Sequence, residues 1–169
     1  IVFFATGFET TAAPTAAPLQ SEPPSNLTVL SAHKYVPPAM EAIAAMPDTN
    51  VDGFLAAGHA ATITGAGIFE DFVDEYGSSV AVGGFEPLDV LHGLAELLEL
   101  IAGDDPGMRN AYKRCVSTDG NMAAQAAMWN VFEPVAGEWR GIAEIPGGCL
   151  DIADEYATWD ANERFDVTV

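Results

Sequence analysis

The sequence predicts a Rossmann-like α/β fold, with a parallel sheet of at least four strands and flanking helices. The main observation is a unit that occurs four times within residues 1–103: an apolar strand-like run, a polar turn and a helical segment. This alternation is typical of parallel sheets with right-handed crossovers. Hydrophobic residues make up 49% of the 169 residues, which is enough for a substantial core. No apolar run approaches the ~20 residues of a membrane span.

The first repeat begins with the apolar run Ile1–Phe4, which we expect to be the end of a buried strand. A polar turn ends the run, and a helix is predicted over about residues 9–19. Thr6 and Glu9 have the spacing of a capping box, in which each side chain binds the backbone N–H of the other residue. One interpretation of this turn is therefore a helix start with a structural role only.

The other three repeats have the same order of elements. Strands are predicted over residues 26–30, 52–56 and 79–82. The helices that follow them are expected to end near residues 46, 76 and 101. Proline is tolerated in the first turn of a helix, and the second and fourth helices place it there, at Pro37, Pro38 and Pro87. The fourth helix is amphipathic, with an apolar face made of Leu91, Leu94, Leu98 and Ile101.

The chain is predicted to divide at about residue 105. Residues 1–105 form the Rossmann-like lobe, and residues 106–169, which contain all three tryptophans, form part of an adjoining α/β lobe. In this second part we predict a helix over 121–132, a strand over 139–145 and a short helix over 150–156. Because the chain opens inside a strand-like run, without an initiator Met or a basic leader, we expect an internal fragment of a longer protein.

The net charge narrows the range of partners and environments. The chain has 25 acidic and six basic residues, for a net charge of −19. Nucleic-acid binding requires a basic surface, so nucleic acid is not an expected partner. A membrane is not an expected partner either. An acidic surface of this kind suits a high-salt cytoplasm, where salt screens self-repulsion, and an acidic mesophilic protein is the alternative. We expect a cytoplasmic location.

Scarce polar residues occur in the turns that follow the four predicted strands. These turns are Gly7–Thr11, Ser31–Lys34, Gly58–His59 and Gly84–Pro87. Because the carboxyl ends of parallel strands lie at one edge of a sheet, the turns are expected to converge there. The candidate site residues are Glu9, Thr10, Thr11, His33, Lys34 and His59. Structural roles stay open, such as a backbone hydrogen bond for His33, whereas a functional role would make both histidines proton-handling groups.

The two cysteines do not form a metal site by their spacing. Cys115 and Cys149 are far apart in the sequence and have no nearby His or Cys, so we expect free thiols, one or both of them buried. The separated histidines and carboxylates could ligate iron or zinc, but their spacing does not require it. The sequence has no Ser-His-Asp order, no GxxxxGK loop and no GxGxxG motif.

Seven motifs, in order along the chain, resemble the HypD family of hydrogenase maturation factors. They are Gly7–Pro14, Ser31–Pro38, Asp52–Phe54, Gly58–His59, Gly83–Asp89, Val131–Pro134 and Glu138–Gly141. The most specific are Gly-Phe-Glu-Thr-Thr in the first motif and Ser-Ala-His-Lys in the second. One departure is Ala57–Ala61, where the family usually has Pro-Gly-His-Val-Ser, so a proline and a hydroxyl are missing here.

The resemblance implies a scaffold role in assembling the Fe(CN)2CO unit of nickel–iron hydrogenases. It also implies a HypC-like chaperone and a HypE-like cyanide donor, working with HypF, as partners. The complete protein would hold a 4Fe-4S cluster on cysteines, and it would bind this iron through thiols near a cleft between two lobes that Gly7–Thr11 lines. This fragment is expected to hold neither, since two cysteines cannot supply the four thiolates of a cluster.

Under this resemblance Lys34 would favour an anionic ligand such as cyanide-bearing iron. Two other functions stay open. One is a small-molecule α/β enzyme in which Glu9 and His33 perform acid–base catalysis. The other is a binding lobe whose strand-end edge is entirely structural.

Overall fold

The computed structural model describes residues 1–103 and 105–165, and it has the predicted Rossmann-like α/β class. The strands are β1 (Val2–Gly7), β2 (Thr28–Lys34), β3 (Gly53–Ala57), β4 (Ser79–Gly83), β5 (Met108–Asn110), β6 (Phe132–Trp139) and β7 (Ala143–Ile152). The helices are α1 (Glu9–Leu19), α2 (Val36–Ala44), α3 (Gly58–Thr64), α4 (Ile68–Tyr76), α5 (Pro87–Ala102), α6 (Met122–Val131) and α7 (Ala161–Arg164), with a 3-10 helix at Asp154–Trp159.

The strands of the four repeats do not share one sheet, which corrects the predicted topology. Among the described residues, β1 and β2 belong to a mixed sheet of order β1-β2-β7-β6, in which β1 and β2 are parallel. The strands β3 and β4 belong to an all-parallel sheet of order β3-β4-β5. The mixed sheet forms because β7 pairs antiparallel with β2, with Lys34 opposite Cys149.

The chain divides into two units, and the division differs from the predicted boundary at residue 105. Unit 1 comprises Ile1–Ala39 together with Ala123–Val169, and unit 2 comprises Met40–Met122. The difference follows from the pairing of β7 with β2, which joins the two ends of the chain in unit 1. Such long-range pairing leaves no local sequence pattern, because the sequence of a strand does not indicate which other strand it will pair with.

The hairpin of unit 1 replaces two predicted elements. The segment 139–145, predicted as one strand, contains the turn between β6 and β7, with Trp139 paired to Ala143. The predicted helix over 150–156 is also displaced, because β7 continues to Ile152 and the 3-10 helix begins at Asp154. The hairpin packs with α1 and α6 in a core that includes Ala12, Ala16, Leu19, Met128, Val131, Phe132 and Leu150.

The strand β1 is exposed, contrary to the expectation of a buried strand. Val2, Phe3 and Phe4 are 51%, 52% and 62% exposed, because β1 is the outer strand of its sheet and pairs only with β2 among the described residues. A groove of about 690 Å³ lies between β1 and α1. The hydroxyl-bearing residues that line this groove are Thr6, Thr11 and Thr15.

Unit 2 has β4 at its centre, and every residue of that strand is buried. The helix α5 packs on the sheet through Asp89, Gly93 and Leu97, which are its buried residues. The apolar face predicted from the sequence is instead exposed, and its residues are Leu91, Leu94, Leu98 and Ile101. In the described part of the chain, no helix has the length and the apolar character needed to cross a membrane.

Candidate functional site

The turn after β1 is shaped by Gly7, which has a φ of +119°. A Cβ at this position would overlap Thr11 Oγ1, so glycine is required both by the backbone conformation and by the space available. The helix α1 begins at Glu9, its N-cap residue is Phe8, and Thr6 belongs to β1. The predicted capping box between Thr6 and Glu9 is therefore wrong. The Glu9 side chain instead contacts the backbone of Val36.

Glu9 is completely buried, at 0% exposure. Its Oε1 accepts the backbone N–H of Val36 at 2.8 Å. Its Oε2 has no hydrogen-bond partner among the described residues. Burial raises the pKa of the Glu9 carboxyl above its usual value of 4.5, and the Val36 N–H only partly opposes this effect. Glu9 is thus a carboxyl group that retains its proton more strongly than an exposed glutamate.

His33 is also buried, with two threonine hydroxyls beside its ring nitrogens. Its Nε2 lies 3.2 Å from Thr15 Oγ1, and its Nδ1 lies 3.5 Å from Thr11 Oγ1. The Thr15 hydroxyl donates to the Thr11 carbonyl at 2.7 Å, which leaves its oxygen to accept a hydrogen bond from Nε2–H. Burial lowers the pKa of His33 below 6.5, and a hydrogen bond with the Gly7 backbone partly opposes this effect. The ring is therefore held in its neutral form.

Lys34 connects the end of β2 to the hairpin. Its Nζ donates to the Glu138 carbonyl at 2.8 Å and contacts Cys149 Sγ at 3.0 Å. Cys149 is half-buried, Cys115 is exposed, and both are free thiols, so the expectation that one or both would be buried is wrong. Lys34 thus contacts groups of β6 and β7 as well as its own strand.

The strand ends of unit 2 carry an exposed aromatic group. His59, the second residue of α3, is exposed, and its ring centroid lies 4.4 Å from that of Phe85 and 6.3 Å from that of Tyr112. Phe85 follows β4 and is 60% exposed. The structure therefore places the exposed His59 against the tilted rings of Phe85 and Tyr112, in contrast to the buried His33.

Asp89 and Arg114 form an ion pair beside this aromatic group. Arg114 Nη1 donates to Asp89 Oδ1 at 2.6 Å, and Nη2 donates to Asp89 Oδ2 at 2.5 Å. The guanidinium also lies over the Tyr112 ring, with Cζ 4.6 Å from the centroid. The hydrogen bonds from Arg114 lower the pKa of Asp89. Sequence reasoning missed this pair, although Asp89 in the first helical turn after a polar loop was a visible signal.

The candidate residues thus fall into two groups instead of meeting at one sheet edge. Unit 1 contains Glu9, Thr10, Thr11, His33 and Lys34, of which Thr11 is exposed and Thr10 and Lys34 are half-buried. Unit 2 contains His59, which is exposed. The convergence predicted for the four turns is corrected because β2 and β3 lie in different sheets.

The donor atoms of this chain do not fit a four-thiolate cluster. Such a cluster takes four cysteines, and this chain has two. These two cysteines belong to different units, Cys115 to unit 2 and Cys149 to unit 1. Within residues 1–103 and 105–165, no group of three His, Cys, Asp or Glu residues is arranged to hold a metal ion. The thiolates of a cluster would therefore have to come from outside this chain.

The sequence profile described as "HypD: Hydrogenase formation hypA family" matches residues 1–169. This chain belongs to the HypD family. It is 37% identical to the hydrogenase maturation factor HypD2 of Bradyrhizobium diazoefficiens, with 99% of this chain and 47% of the relative covered. It is 36% identical to HypD of Cupriavidus necator, with the same shares covered. For HypD of Azotobacter vinelandii the identity is 35%, covering 98% of this chain and 46% of the relative.

Membership of the HypD family confirms the resemblance drawn from the seven motifs. The chain spans about half the length of the relatives it matches. Two of those motifs, Gly7–Pro14 and Ser31–Pro38, supply the buried pair of Glu9 and His33 in unit 1. A third, Gly83–Asp89, supplies Phe85 and Asp89 in unit 2.

Proposed function

We propose that this chain is part of a cytoplasmic maturation factor that serves as a scaffold in assembling the Fe(CN)2CO unit of nickel–iron hydrogenases. Its partners would be a HypC-like chaperone and a HypE-like cyanide donor that works with HypF. The iron unit is cargo, and the thiolates that bind it, like those of a 4Fe-4S cluster, would come from other parts of the complete protein. Family membership across residues 1–169 supports this proposal.

The observation that supports a functional role for unit 1 is the buried carboxyl of Glu9. A buried polar atom without a partner costs roughly 1–3 kcal/mol, so a purely structural glutamate would be expected to use both oxygens. Glu9 uses Oε1 for the Val36 N–H and leaves Oε2 without a partner among the described residues. Burial raises the pKa of Glu9, so this carboxyl holds a proton more strongly than an exposed glutamate does. We infer that Glu9 holds a proton that is used during cargo assembly.

The groove beside β1 is lined by the two threonines that lie beside His33. Thr11 and Thr15 both line the groove, and their hydroxyls lie beside the ring nitrogens of His33. The Thr11 hydroxyl donates to the Phe8 carbonyl and the Thr15 hydroxyl to the Thr11 carbonyl, so passing a proton between His33 and the groove requires these hydroxyls to rotate away from the carbonyls. Lys34 contributes a positive charge near the same strand ends. The alternative of an enzyme is less well supported, because Glu9 and His33 are too deeply buried to touch a free substrate.

The test is the substitution Glu9→Gln in the complete factor. Gln has the shape of a protonated Glu and can still accept the Val36 N–H, so the fold should be retained while the transferable proton is removed. We expect hydrogenase activity to fall to near background in a strain whose HypD-family gene is replaced by this variant. The melting curve of the purified variant should stay close to that of the wild type.

The matched control is Glu22→Gln, which removes an exposed carboxylate from the same unit. This variant should give wild-type hydrogenase activity. If Glu9→Gln also gives wild-type activity, Glu9 has a structural role only and the proton-holding proposal fails.

A further inference from the structure

Two nucleophilic side chains, Lys34 and Cys149, meet on one face of the mixed sheet of unit 1. Lys34 is the last residue of β2, Cys149 lies in β7, and the antiparallel register places the two residues opposite each other. Lys34 Nζ lies 3.0 Å from Cys149 Sγ. Directly opposed residues share a face of the sheet, so the pairing of the strands holds this amine and this thiol together.

Gly137 of β6 determines where the sulfur lies. A Cβ at Gly137 would overlap Cys149 Sγ, so the thiol occupies the space that a side chain at position 137 would take. The register of β6 against β7 shifts between Val135 and Gly137, and Val135 is the residue that pairs with Cys149. The sulfur is therefore close to the backbone of β6 and to an amine from β2.

A second contact fixes the position of the amine. Lys34 Nζ donates to the Glu138 carbonyl at 2.8 Å. After the ammonium group loses one proton, the neutral amine can keep an N–H at this carbonyl and turn its lone pair toward Cys149. The separation of 3.0 Å between Nζ and Sγ is within the range of about 3–3.5 Å at which reacting atoms are poised for attack.

The thiol is accessible to a small oxidant, because Lys34 and Cys149 are both half-buried and not enclosed. Oxidation of a thiol first gives a sulfenic acid, whose sulfur condenses with a second thiol or with a nitrogen. The other cysteine of the chain, Cys115, belongs to unit 2, whereas the Lys34 nitrogen already contacts the sulfur. The arrangement therefore favours nitrogen as the group that captures oxidised Cys149.

We propose that Lys34 and Cys149 form a redox-sensitive modification site, at which hydrogen peroxide joins the two side chains through a sulfur–nitrogen bond. In the first step peroxide oxidises the thiol by two electrons to the sulfenic acid and is itself reduced to water. In the second step the neutral amine attacks the sulfur, the S–N bond forms and the S–O bond breaks. The sulfenic oxygen leaves as water after taking one proton from the nitrogen.

The modification is reversible and does not depend on the function proposed for Glu9. Two molecules of a thiol reductant return the cysteine and the lysine, and they become a disulfide themselves. While it lasts, the bond joins β2 to β7, the antiparallel pair that connects the two parts of unit 1. A covalent link between residues far apart in the sequence restricts the unfolded chain, so unit 1 should melt at a higher temperature after oxidation.

The test treats the 169-residue chain, carrying Cys115→Ser to leave one thiol, with hydrogen peroxide. The buffer is set to about pH 9, where more lysine is neutral than at pH 7. A protease that cleaves after acidic residues releases Lys34 in the peptide 23–41 and Cys149 in the peptide 145–151. We expect mass spectrometry to find the two peptides linked, lighter than their sum by two hydrogen atoms, and dithiothreitol to separate them.

Lys34→Arg in the same background is the matched variant. Arginine keeps the positive charge and a donor for the Glu138 carbonyl, but its guanidinium retains its proton and does not attack sulfur. The linked species should fall at least about ten-fold, and Cys149 should instead gain two oxygen atoms as a sulfinic acid. Peroxide should raise the tryptophan-detected melting midpoint in the Cys115→Ser chain and leave it unchanged in this variant.

Cys149→Ser provides a control within the chain, because it retains the exposed Cys115 two residues after Lys113. No hydrogen bond joins Lys113 to Cys115 in the part of the chain that the structure describes. Both residues lie in the peptide 106–119. The form of this peptide that has lost two hydrogen atoms should be at least about ten-fold less abundant than the Lys34–Cys149 link.

Three outcomes would overturn the proposal. The first is a sulfinic or sulfonic acid at Cys149 with Lys34 present and no linked peptides. The second is a peptide 145–151 that loses two hydrogen atoms by itself, which would place the bond on its own backbone nitrogen. The third is an equal yield from Lys113 and Cys115, which would show that the contact in unit 1 does not direct the reaction.

Discussion

The strand ends of the two units use histidine in opposite ways. In unit 1, His33 is 1% exposed and lies between the hydroxyls of Thr11 and Thr15. In unit 2, His59 is exposed and stacks on Phe85. Both residues lie where a parallel strand ends and a polar turn begins, so the strand pattern determines where each histidine lies. What covers His33 is determined by α1, which precedes β2 in the chain and supplies both threonines.

The carboxylates of the two units differ in the same way. Glu9 is buried and forms no ion pair within the described part of the chain, and its pKa is raised. Asp89 is buried next to Arg114, which donates to both of its oxygens and lowers its pKa. In unit 1 the protonated form of the carboxyl is therefore favoured, whereas in unit 2 the charged form is favoured by its arginine partner. The comparison shows that the same order of strand, polar turn and helix can place a carboxyl in two different electrostatic environments.

The largest expected effect comes from truncating Glu9. Glu9→Ala removes the acceptor of the Val36 N–H and leaves a cavity, so it should lower the free energy of unfolding of unit 1 by about 2–4 kcal/mol. His59→Ala removes an exposed ring and should change stability by about 0.5 kcal/mol or less. Tryptophan emission measures unit 1, because Trp129, Trp139 and Trp159 all belong to it. Equal effects of the two substitutions would contradict the difference in burial.

The next effect is a pH dependence of unit 1 caused by His33. The folded state holds this ring neutral, with a pKa below 6.5, so the unfolded state binds a proton first as the pH falls. The stabilising contribution of the neutral ring is therefore present above pH 6.5 and is lost as the pH falls from 6.5 through the folded-state pKa. We expect the midpoint of the tryptophan-detected melt to fall more steeply below pH 6.5 in the wild type than in His33→Gln.

Glu9→Gln is the control for this pH dependence. It retains His33, so its midpoint should still fall more steeply than that of His33→Gln as the solution is acidified. The same slope in the wild type and in His33→Gln would show that His33 does not cause the loss of stability.

A smaller effect is expected from the ion pair of unit 2. Arg114→Gln leaves the buried Asp89 without its charged partner, whereas Arg109→Gln leaves Glu96 and Glu99, which are 27% and 70% exposed. The melting midpoint of the chain, followed by circular dichroism, should therefore fall further in Arg114→Gln than in Arg109→Gln. Equal shifts would show that the burial of Asp89 has little influence on its pairing.

The smallest expected effect is that of salt. Of the 25 acidic residues, 14 lie in unit 2, and each unit has three of the six basic residues. Screening should therefore relieve more self-repulsion in unit 2, as the Debye length falls from about 10 Å at 0.1 M to about 3 Å at 1 M salt. We expect molar potassium chloride to raise the midpoint detected by circular dichroism more than the one detected by tryptophan emission. A flat or falling midpoint would contradict adaptation to a salty cytoplasm.

Local signals in the sequence predicted most elements of this fold. The apolar run before Gly7 and the prolines at Pro37 and Pro87 predicted the starts of three helices, and α1 has the predicted bounds Glu9–Leu19. The hairpin was missed because its turn at Arg140–Ile142 interrupts a segment that reads as one strand. The division into units was missed because it depends on β2 and β7, which are far apart in the sequence.

The candidate site was predicted in its residues but not in its contacts. Glu9 and His33 were identified from their position after strands, whereas the role of Val36 as the partner of Glu9 depends on the folded backbone. The threonines at positions 11 and 15, four residues apart on one helix face, were a signal for the surroundings of His33. The apolar face of α5 was identified correctly, but periodicity does not reveal whether such a face meets a core or a partner.

The discontinuity of unit 1 has a consequence for how the chain is made. The ribosome delivers β1 and β2 first and then the 83 residues of unit 2, before β6 and β7 exist. Because translation adds about 5–20 residues per second, several seconds pass between the synthesis of β2 and that of its antiparallel neighbour β7. During that interval its open edge is available to chaperones and to other nascent chains. The contact between Lys34 and Cys149 forms only after translation has passed residue 149, so unit 1 is the last part of this chain to mature.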